Sequence, residues 1–351
     1  MPRRLNREEP EPAGLDTAHR ITMLPQREEF PAHPDEDLLT AALRSGRQVM
    51  YGCRHGNCGT CLHRLVDGEV VEAVTSPYVL SADARDQGAI LLCSTYARSD
   101  VTIESSEADV LAEDIEVIPP EQRMAEVRST SGVTPSVVEL RVALDRPLSF
   151  RAGQYVEVWV PGSDCRRSLS IASAPAEADE LSFVVRMRPG GRFASALAGI
   201  RPGDTLRLQG PFGHFHFRDS GRPAVMAALG TGIAPILSII LDVVKAAGPP
   251  LALYYGGAAD ERPYVEELER LAAATPHFSL HFAPPPRNGS NEIGMLTQLL
   301  AGRLRDGSSH DAYVAGLPPM CDALCALLAA KGTPERHVHV ERFYPAEPTR
   351  R

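Results

Sequence analysis

No stretch of this chain approaches the roughly 20 consecutive apolar residues that a membrane-spanning helix needs, and the opening MPRRLNREEPEPAGLDT holds no apolar segment of the kind a secretory signal carries. A cytoplasmic protein without a membrane partner is the expectation, and a monomer is expected. Excess positive charge is missing too. The formal net charge is -9, and no lysine falls between residues 18 and 109, so nucleic acid is not an expected partner. Aromatics are scarce, at 6% with one tryptophan, yet 43% of residues are hydrophobic, which is the composition of a globular chain with real cores. There is no internal repeat. With 351 residues, two or three domains are expected.

Three compositional regimes follow one another. Residues 1–17 read as a disordered, polar tail. Residues 18–109 hold short β-like runs around one helical patch, DEDLLTAALRSG, in which apolar positions recur at helical spacing. A small α+β module is expected there. The acidic EADVLAEDIEVIPPEQ then reads as a linker ending in two prolines. From 113 to 218, strand-like runs such as SVVELRVAL, QYVEVWV and ELSFVVRM, punctuated by Gly and Pro, predict an antiparallel β-barrel. QGPFG at 209–213 reads as a turn where that barrel closes, and the alternating histidines of GHFHF and HVHV read as strands. From 221 to 351 the rhythm changes to strand then helix, which predicts βαβ units and an α/β domain with a parallel sheet.

Seven cysteines is an odd number, and four of them stand on a metal-like spacing rather than a disulfide framework. Cys53, Cys58 and Cys61 are spaced C-x4-C-x2-C, and Cys93 supplies a distant fourth thiolate. This is the ligand spacing of a plant-type 2Fe-2S cluster. Gly52, Gly56 and Gly59 let the backbone wrap closely and aim N–H donors at sulfur. Structural zinc is the rival, although it usually shows paired knuckles instead of a triplet completed from afar. A Rieske centre would need a second C-x2-H pair, which the sequence does not contain. His55 and His63 read as surface or packing residues, and Cys321 and Cys325 as one helix face.

On these residues, 19–109 resemble a plant-type ferredoxin domain of β-grasp fold, and 113–351 resemble the ferredoxin-NADP reductase family. The resemblance implies the cofactors FAD and NADH beside the 2Fe-2S cluster. That family holds its flavin with an R-x-Y-S/T run, matched by Arg167, Ser168, Leu169 and Ser170. Arg167 would meet the flavin phosphates and the Ser170 hydroxyl would approach N5. Leu169 stands where the family has tyrosine, so an aliphatic contact would cover the ring. Gly191 and Ser195 in RPGGRFASAL would open a helix toward the FAD pyrophosphate.

ALGTGIAPILS follows a predicted strand and opens a predicted helix, the context a dinucleotide loop requires, with Gly230, Thr231, Gly232, Ala234 and Pro235 at the matching positions. AGLPPM resembles the family's C-G-P-P-x-M run through Gly316, Pro318, Pro319 and Met320, with Ala315 in place of the cysteine. VERFYP resembles the terminal E-x-F element, which implies that Phe343 covers the flavin with Glu341 nearby. The run AADE at 258–261, acidic where a 2′-phosphate would want arginine, favours NADH.

The order of the three parts resembles reductases of bacterial multicomponent oxygenases, which implies electron flow from NADH through FAD and 2Fe-2S to an oxygenase component or a small electron carrier. SPYVLSADARDQGAILLCSTYARSD resembles reductases serving di-iron monooxygenases of hydrocarbons or phenols. Two alternatives stay open. One is a reductase for a Rieske dioxygenase or for deoxysugar biosynthesis; the other, of a different class, is a zinc-bearing interaction module on a degenerate reductase scaffold.

Overall fold

A computed structural model of the chain describes residues 18–73, 75, 78–105, 116–163, 165–258, 261–286 and 291–344. The expected tail and most of the expected linker lie outside the described residues. The chain forms two compact units, one running up to Pro120 and taking in Tyr344, the other Glu121–Phe343.

In the first unit, β1 (His19–Leu24) and β2 (Glu28–Ala32) pair antiparallel and α1 (Leu38–Arg44) follows. After the cysteine loop come β3 (Leu62–Asp67), β4 (Val70–Glu72), α2 (Ala82–Asp86), β5 (Ala89–Leu91), β6 (Thr95–Ala97) and β7 (Val101–Glu104). The main sheet has the order β2-β1-β7-β3-β5, with β1 and β7 parallel, while β4 and β6 pair separately. Alternate residues Ile21 and Met23 of β1, and Val101 and Ile103 of β7, are buried, which gives the sheet one apolar face.

Helix α1 begins where it does because Asp37 accepts a hydrogen bond from the Thr40 N–H at 2.8 Å, an N-cap. Leu38 and Leu39 are fully buried, each contributing roughly 1.5–3 kcal/mol. That anchored helix supports the cysteine loop, since the buried Arg54 donates from Nη2 to Thr40 Oγ1 at 3.1 Å.

The second unit opens with β8 (Glu121–Thr134), so the last two residues of the expected linker belong to a strand. Then follow β9 (Val137–Leu144), β10 (Tyr155–Trp159), β11 (Arg166–Ser170), β12 (Glu180–Arg186), α3 (Arg192–Ala198) and β13 (Thr205–Phe212). All pairs are antiparallel in the order β11-β10-β13-β8-β9-β12, and a bridge between Ile171 and Phe183 links the two ends. Inward residues such as Ala125, Val127, Leu206 and Leu208 fill its interior. QGPFG is not a turn up to its last residue: Gln209–Phe212 finish β13 opposite a register shift in β10, and the chain turns at Gly213, whose φ is +102°. GHFHF is not a strand either, because Phe215 and Tyr313 pack edge to face, 5.9 Å apart, and draw the segment onto the next sheet.

The remaining elements are β14 (Ala224–Leu229), α4 (Ile233–Lys245), β15 (Leu251–Gly256), α5 (Val265–Ala274), β16 (Phe278–Phe282), α6 (Glu292–Arg303), β17 (Asp311–Gly316), α7 (Pro318–Ala330) and β18 (Val338–Arg342). Their sheet is wholly parallel, β16-β15-β14-β17-β18. Strand order reverses between β14 and β17, and in such sheets ligands bind at the carboxyl ends of the strands flanking the reversal. Of HVHV, Val338, His339 and Val340 open β18, while His337 ends the single turn Glu335–His337. Among the described residues no helix is long and apolar enough to cross a membrane.

Candidate functional site

Cys53, Cys58 and Cys61 stand on the loop between α1 and β3, and Cys93 on the single turn Leu92–Ser94 between β5 and β6. Three of these sulfurs are buried; Cys58 is more open. The loop bends at Gly56 and Gly59, both with positive φ, +76° and +78°. Backbone donors surround the sulfurs. Asn57 N donates to Cys53 Sγ at 3.3 Å and Cys53 N to Cys58 Sγ at 3.4 Å. Gly56 N–H serves Cys93, and Cys93 N–H serves Cys61.

These thiols form two pairs. A hydrogen bond from Cys53 draws the Cys58 thiol down to about 5, and one from Cys61 lowers Cys93. The donors Cys53 and Cys61 are pushed up, first by that same bond and then by burial. Two thiolates for each of two irons is what a 2Fe-2S cluster asks of its protein. The donor set fits that group.

In the second unit, β11 carries the flavin-motif residues along the strand paired with β10, Ser170 lying opposite Tyr155 and Leu169 opposite Val156. Leu169 is buried within the apolar interior of the antiparallel sheet. Its side chain is therefore committed to that core, unlike the ring contact expected of it. Arg167 is held below the usual guanidinium range by burial and then by the charge of Arg188. Two guanidiniums whose charges act on each other suit an anion such as a diphosphate. Arg188, which the motif comparison passed over, stands just before the Gly190–Gly191 turn, and the RMRPGGR run carried the signal. Gly191 caps α3, and Ser195 donates its backbone N–H to Gly191 O at 2.8 Å, so only its hydroxyl is left for a ligand.

The nicotinamide motifs meet at the strand-order reversal. Gly230–Gly232 form a single turn leading into α4, where Ala234 and Pro235 are buried, and Thr231 is half-buried. A Cβ on Gly232 would overlap the Ala315 carbonyl. Gly316, with φ +156°, lies against Met320, a fully buried residue in the first turn of α7. Pro318 and Pro319 open that helix, where their missing N–H groups cost nothing. Glu341 on β18 pairs with Ala315, and Phe343 N donates to Gly316 O at 2.8 Å. Cys321 is buried and donates to the same Gly316 carbonyl at 3.5 Å, while Cys325 on the same helix is half-buried. Of the AADE run, Ala259 and Asp260 lie outside the described residues, and Glu261 is ion-paired with Arg186 at 2.8 Å.

Comparison with known proteins fits this geometry. Residues 21–98 match the 2Fe-2S iron-sulfur cluster binding domain, 124–217 the oxidoreductase FAD-binding domain, and 226–326 the oxidoreductase NAD-binding domain. The chain is 32% identical over 339 residues to the reductase component of propane 2-monooxygenase from Mycolicibacterium goodii, covering 93% of this chain and 97% of that protein. To the reductase component of phenol 2-monooxygenase from a Pseudomonas species it is 33% identical, over 94% of this chain and 95% of the other. The crystal structure of an Amycolatopsis cytochrome P450 reductase superposes with a TM-score of 0.81 at 27% identity, covering 93% and 99% of the two chains. The chain belongs to the family of NADH-dependent iron-sulfur flavoprotein reductases that join a 2Fe-2S domain, an FAD-binding domain and an NAD-binding domain in that order.

Proposed function

We propose that this protein takes electrons from NADH and delivers them singly to an oxygenase, of the di-iron type that hydroxylates hydrocarbons or phenols. The observation that carries the reading is the presence, in one chain, of four cysteines gathered by one loop and one turn, three of them buried, and a glycine-lined crevice where a parallel sheet reverses its strand order. Similarity over nearly the whole chain to propane and phenol monooxygenase reductase components supports the partner class. When bound, FAD accepts a hydride and releases its electrons one at a time, and the cluster carries single electrons.

The residues supply placement. Cys53 and Cys58 would hold one iron, and Cys61 and Cys93 the other. Arg167, with Arg188, would receive the flavin phosphates; Gly191 and Ser195 would approach the pyrophosphate through the start of α3 and a hydroxyl. Ser168 and Ser170 would line the flavin, the Ser170 hydroxyl would serve its ring, and Leu169 would contribute through its backbone. Gly230, Thr231, Gly232, Ala234 and Pro235 form the dinucleotide turn, and Gly316 with Pro318, Pro319 and Met320 shapes the nicotinamide end. Phe343 and Glu341 lie at that end and would sit beside the flavin. In this reading 18–109 is a β-grasp ferredoxin domain, 113–218 a closed barrel joined through the Ile171–Phe183 bridge, and 221–351 the nicotinamide domain; the protein acts as a monomer.

The test is anaerobic titration of the purified protein with NADH, followed by mixing with candidate acceptors. Bleaching of flavin and cluster absorbance, an EPR signal from the reduced cluster, and fast reduction of a di-iron oxygenase are expected. Faster reduction of a Rieske-type protein would move the partner class to dioxygenases, and a colourless protein would end the relay reading.

A further inference from the structure

Arg186 ends β12, in the flavin half of the second unit, yet its guanidinium acts on the nicotinamide half. Nη1 donates to Glu261 Oε2 at 2.8 Å. Nη2 lies so close to Gly230 that a Cβ there would come within 2.7 Å of it. Glu261 follows β15, the strand next to β14. An acidic residue beyond that strand is placed to accept a hydrogen bond from a ribose 2′-hydroxyl and to repel a 2′-phosphate.

The two loops are also tied from beneath. The hydroxyl of Tyr255, a fully buried residue, is shared between the carbonyls of Gly230 and Pro263, each at 3.1 Å. Arg262, the cation next in sequence, is turned aside, its guanidinium 5.1 Å from the centroid of the Phe282 ring. The positive charge paired with Glu261 therefore comes from another element, not from its own neighbour.

We infer that Arg186 is a specificity-determining residue of the nicotinamide site: by pairing with Glu261 it sets how strongly that carboxylate rejects a 2′-phosphate. The inference rests on the NADH-reductase reading above. Its logic is one of charge. The intact pair is neutral, loss of the arginine leaves a net negative charge, loss of the glutamate leaves a net positive one, and loss of both restores neutrality. With the two side chains 28% and 36% exposed, the pair stands at the mouth of the crevice, where an arriving nucleotide meets it.

The experiment compares kcat/KM for NADH and NADPH in the full-length holoprotein with ferricyanide as acceptor. Arg186→Gln should raise the NADH/NADPH ratio about tenfold, and Glu261→Gln should lower it by about the same factor, as expected for one unbalanced charge facing a phosphate. The double variant should return to within about threefold of the parent, and Arg186→Lys should hold the parent ratio. If NADPH turnover is too slow, inhibition by adenosine 2′,5′-bisphosphate relative to 5′-AMP reads the same ratio. A purely structural role would weaken both nucleotides alike. Single variants that leave the ratio unchanged, or move it in the same direction, overturn the inference, and Glu261→Gln and Arg186→Lys still decide if Arg186→Gln does not fold. A parent protein that lacks FAD or does not oxidise NADH would instead sink the functional reading itself.

Discussion

The two units build their sites in opposite ways. In the first, three of the four thiols come from one loop, and the fourth arrives on a single turn between two short strands. In the second, the residues that meet at the crevice come from the end of β12, the turn before α4, the end of β17 and the segment after β18. A loop site depends on backbone that can bend and on donors within a few residues, so its chemistry is concentrated in a short motif. A crevice site depends on the strand order of a whole sheet. The first should fail locally and completely when one atom is removed, and the second should fail by degrees.

The largest effect is expected in the loop. Serine in place of Cys53, Cys58, Cys61 or Cys93 in turn should abolish the cluster, so that iron and acid-labile sulfide fall below about a tenth of the parent content. NADH oxidation with ferricyanide should persist at more than about half the parent rate, because ferricyanide meets the flavin directly. Metal analysis and EPR decide each cysteine separately; a variant that keeps its iron and its signal removes that residue from the ligand set. A chain beginning at residue 113 takes the contrast further. It should keep FAD and the ferricyanide reaction while reduction of cytochrome c drops by a factor of about 100 or more, the single-electron route to a bulky acceptor having been removed. Equal rates for truncated and full chains would mean that electrons do not pass through the cluster.

A graded failure is expected in the crevice. Gly232→Ala sets a methyl against the Ala315 carbonyl, which must shift for the turn to form. We expect kcat/KM for NADH to fall about tenfold, mainly through KM, with the FAD content unchanged. An unaltered KM would place the nucleotide elsewhere.

The same contrast explains what the sequence made legible. The cysteine spacing names its site outright, because ligand geometry is written in consecutive residues. Strand and helix alternation along 221–351 is legible as well, since hydrophobic periodicity is local. Contacts between distant segments are not. Arg186 reaching Glu261 and Tyr255 spanning two loops depend on how strands are ordered and twisted, which no short window encodes. QGPFG misled because Gly and Pro mark turns on average, while here a register shift in β10 lets the strand continue through them. GHFHF misled because alternation signals a strand only when a partner strand is available, and this segment instead packs its aromatics on Tyr313. Leu169 matched a motif position by alignment alone, whereas its burial in the sheet interior is decided by register with Val156.

The smallest effect expected is one of pH, and it belongs to the second unit. His216 and His339 are driven down to about 4 and about 3, in both cases chiefly by burial, with Arg218 adding to the shift. Geometry agrees for His339, whose Nδ1 lies 3.0 Å from Arg218 Nη1 and must accept that hydrogen bond as a neutral ring. Both folded values lie below the ordinary histidine value of 6.5. Below that value the unfolded chain takes up protons that the folded chain refuses, so stability is fully present above pH 6.5 and is lost as pH falls toward 4. At pH 5 the loss is on the order of 2 kcal/mol for each ring, or several degrees in Tm for a unit of this size. Flavin release on heating, followed by fluorescence, reports the second unit and should shift downward by that amount between pH 7 and pH 5. His339→Gln stays neutral at every pH and still offers Arg218 an acceptor, so it should remove about half of the shift. A midpoint as steep in pH for that variant as for the parent would show that His339 does not carry the dependence.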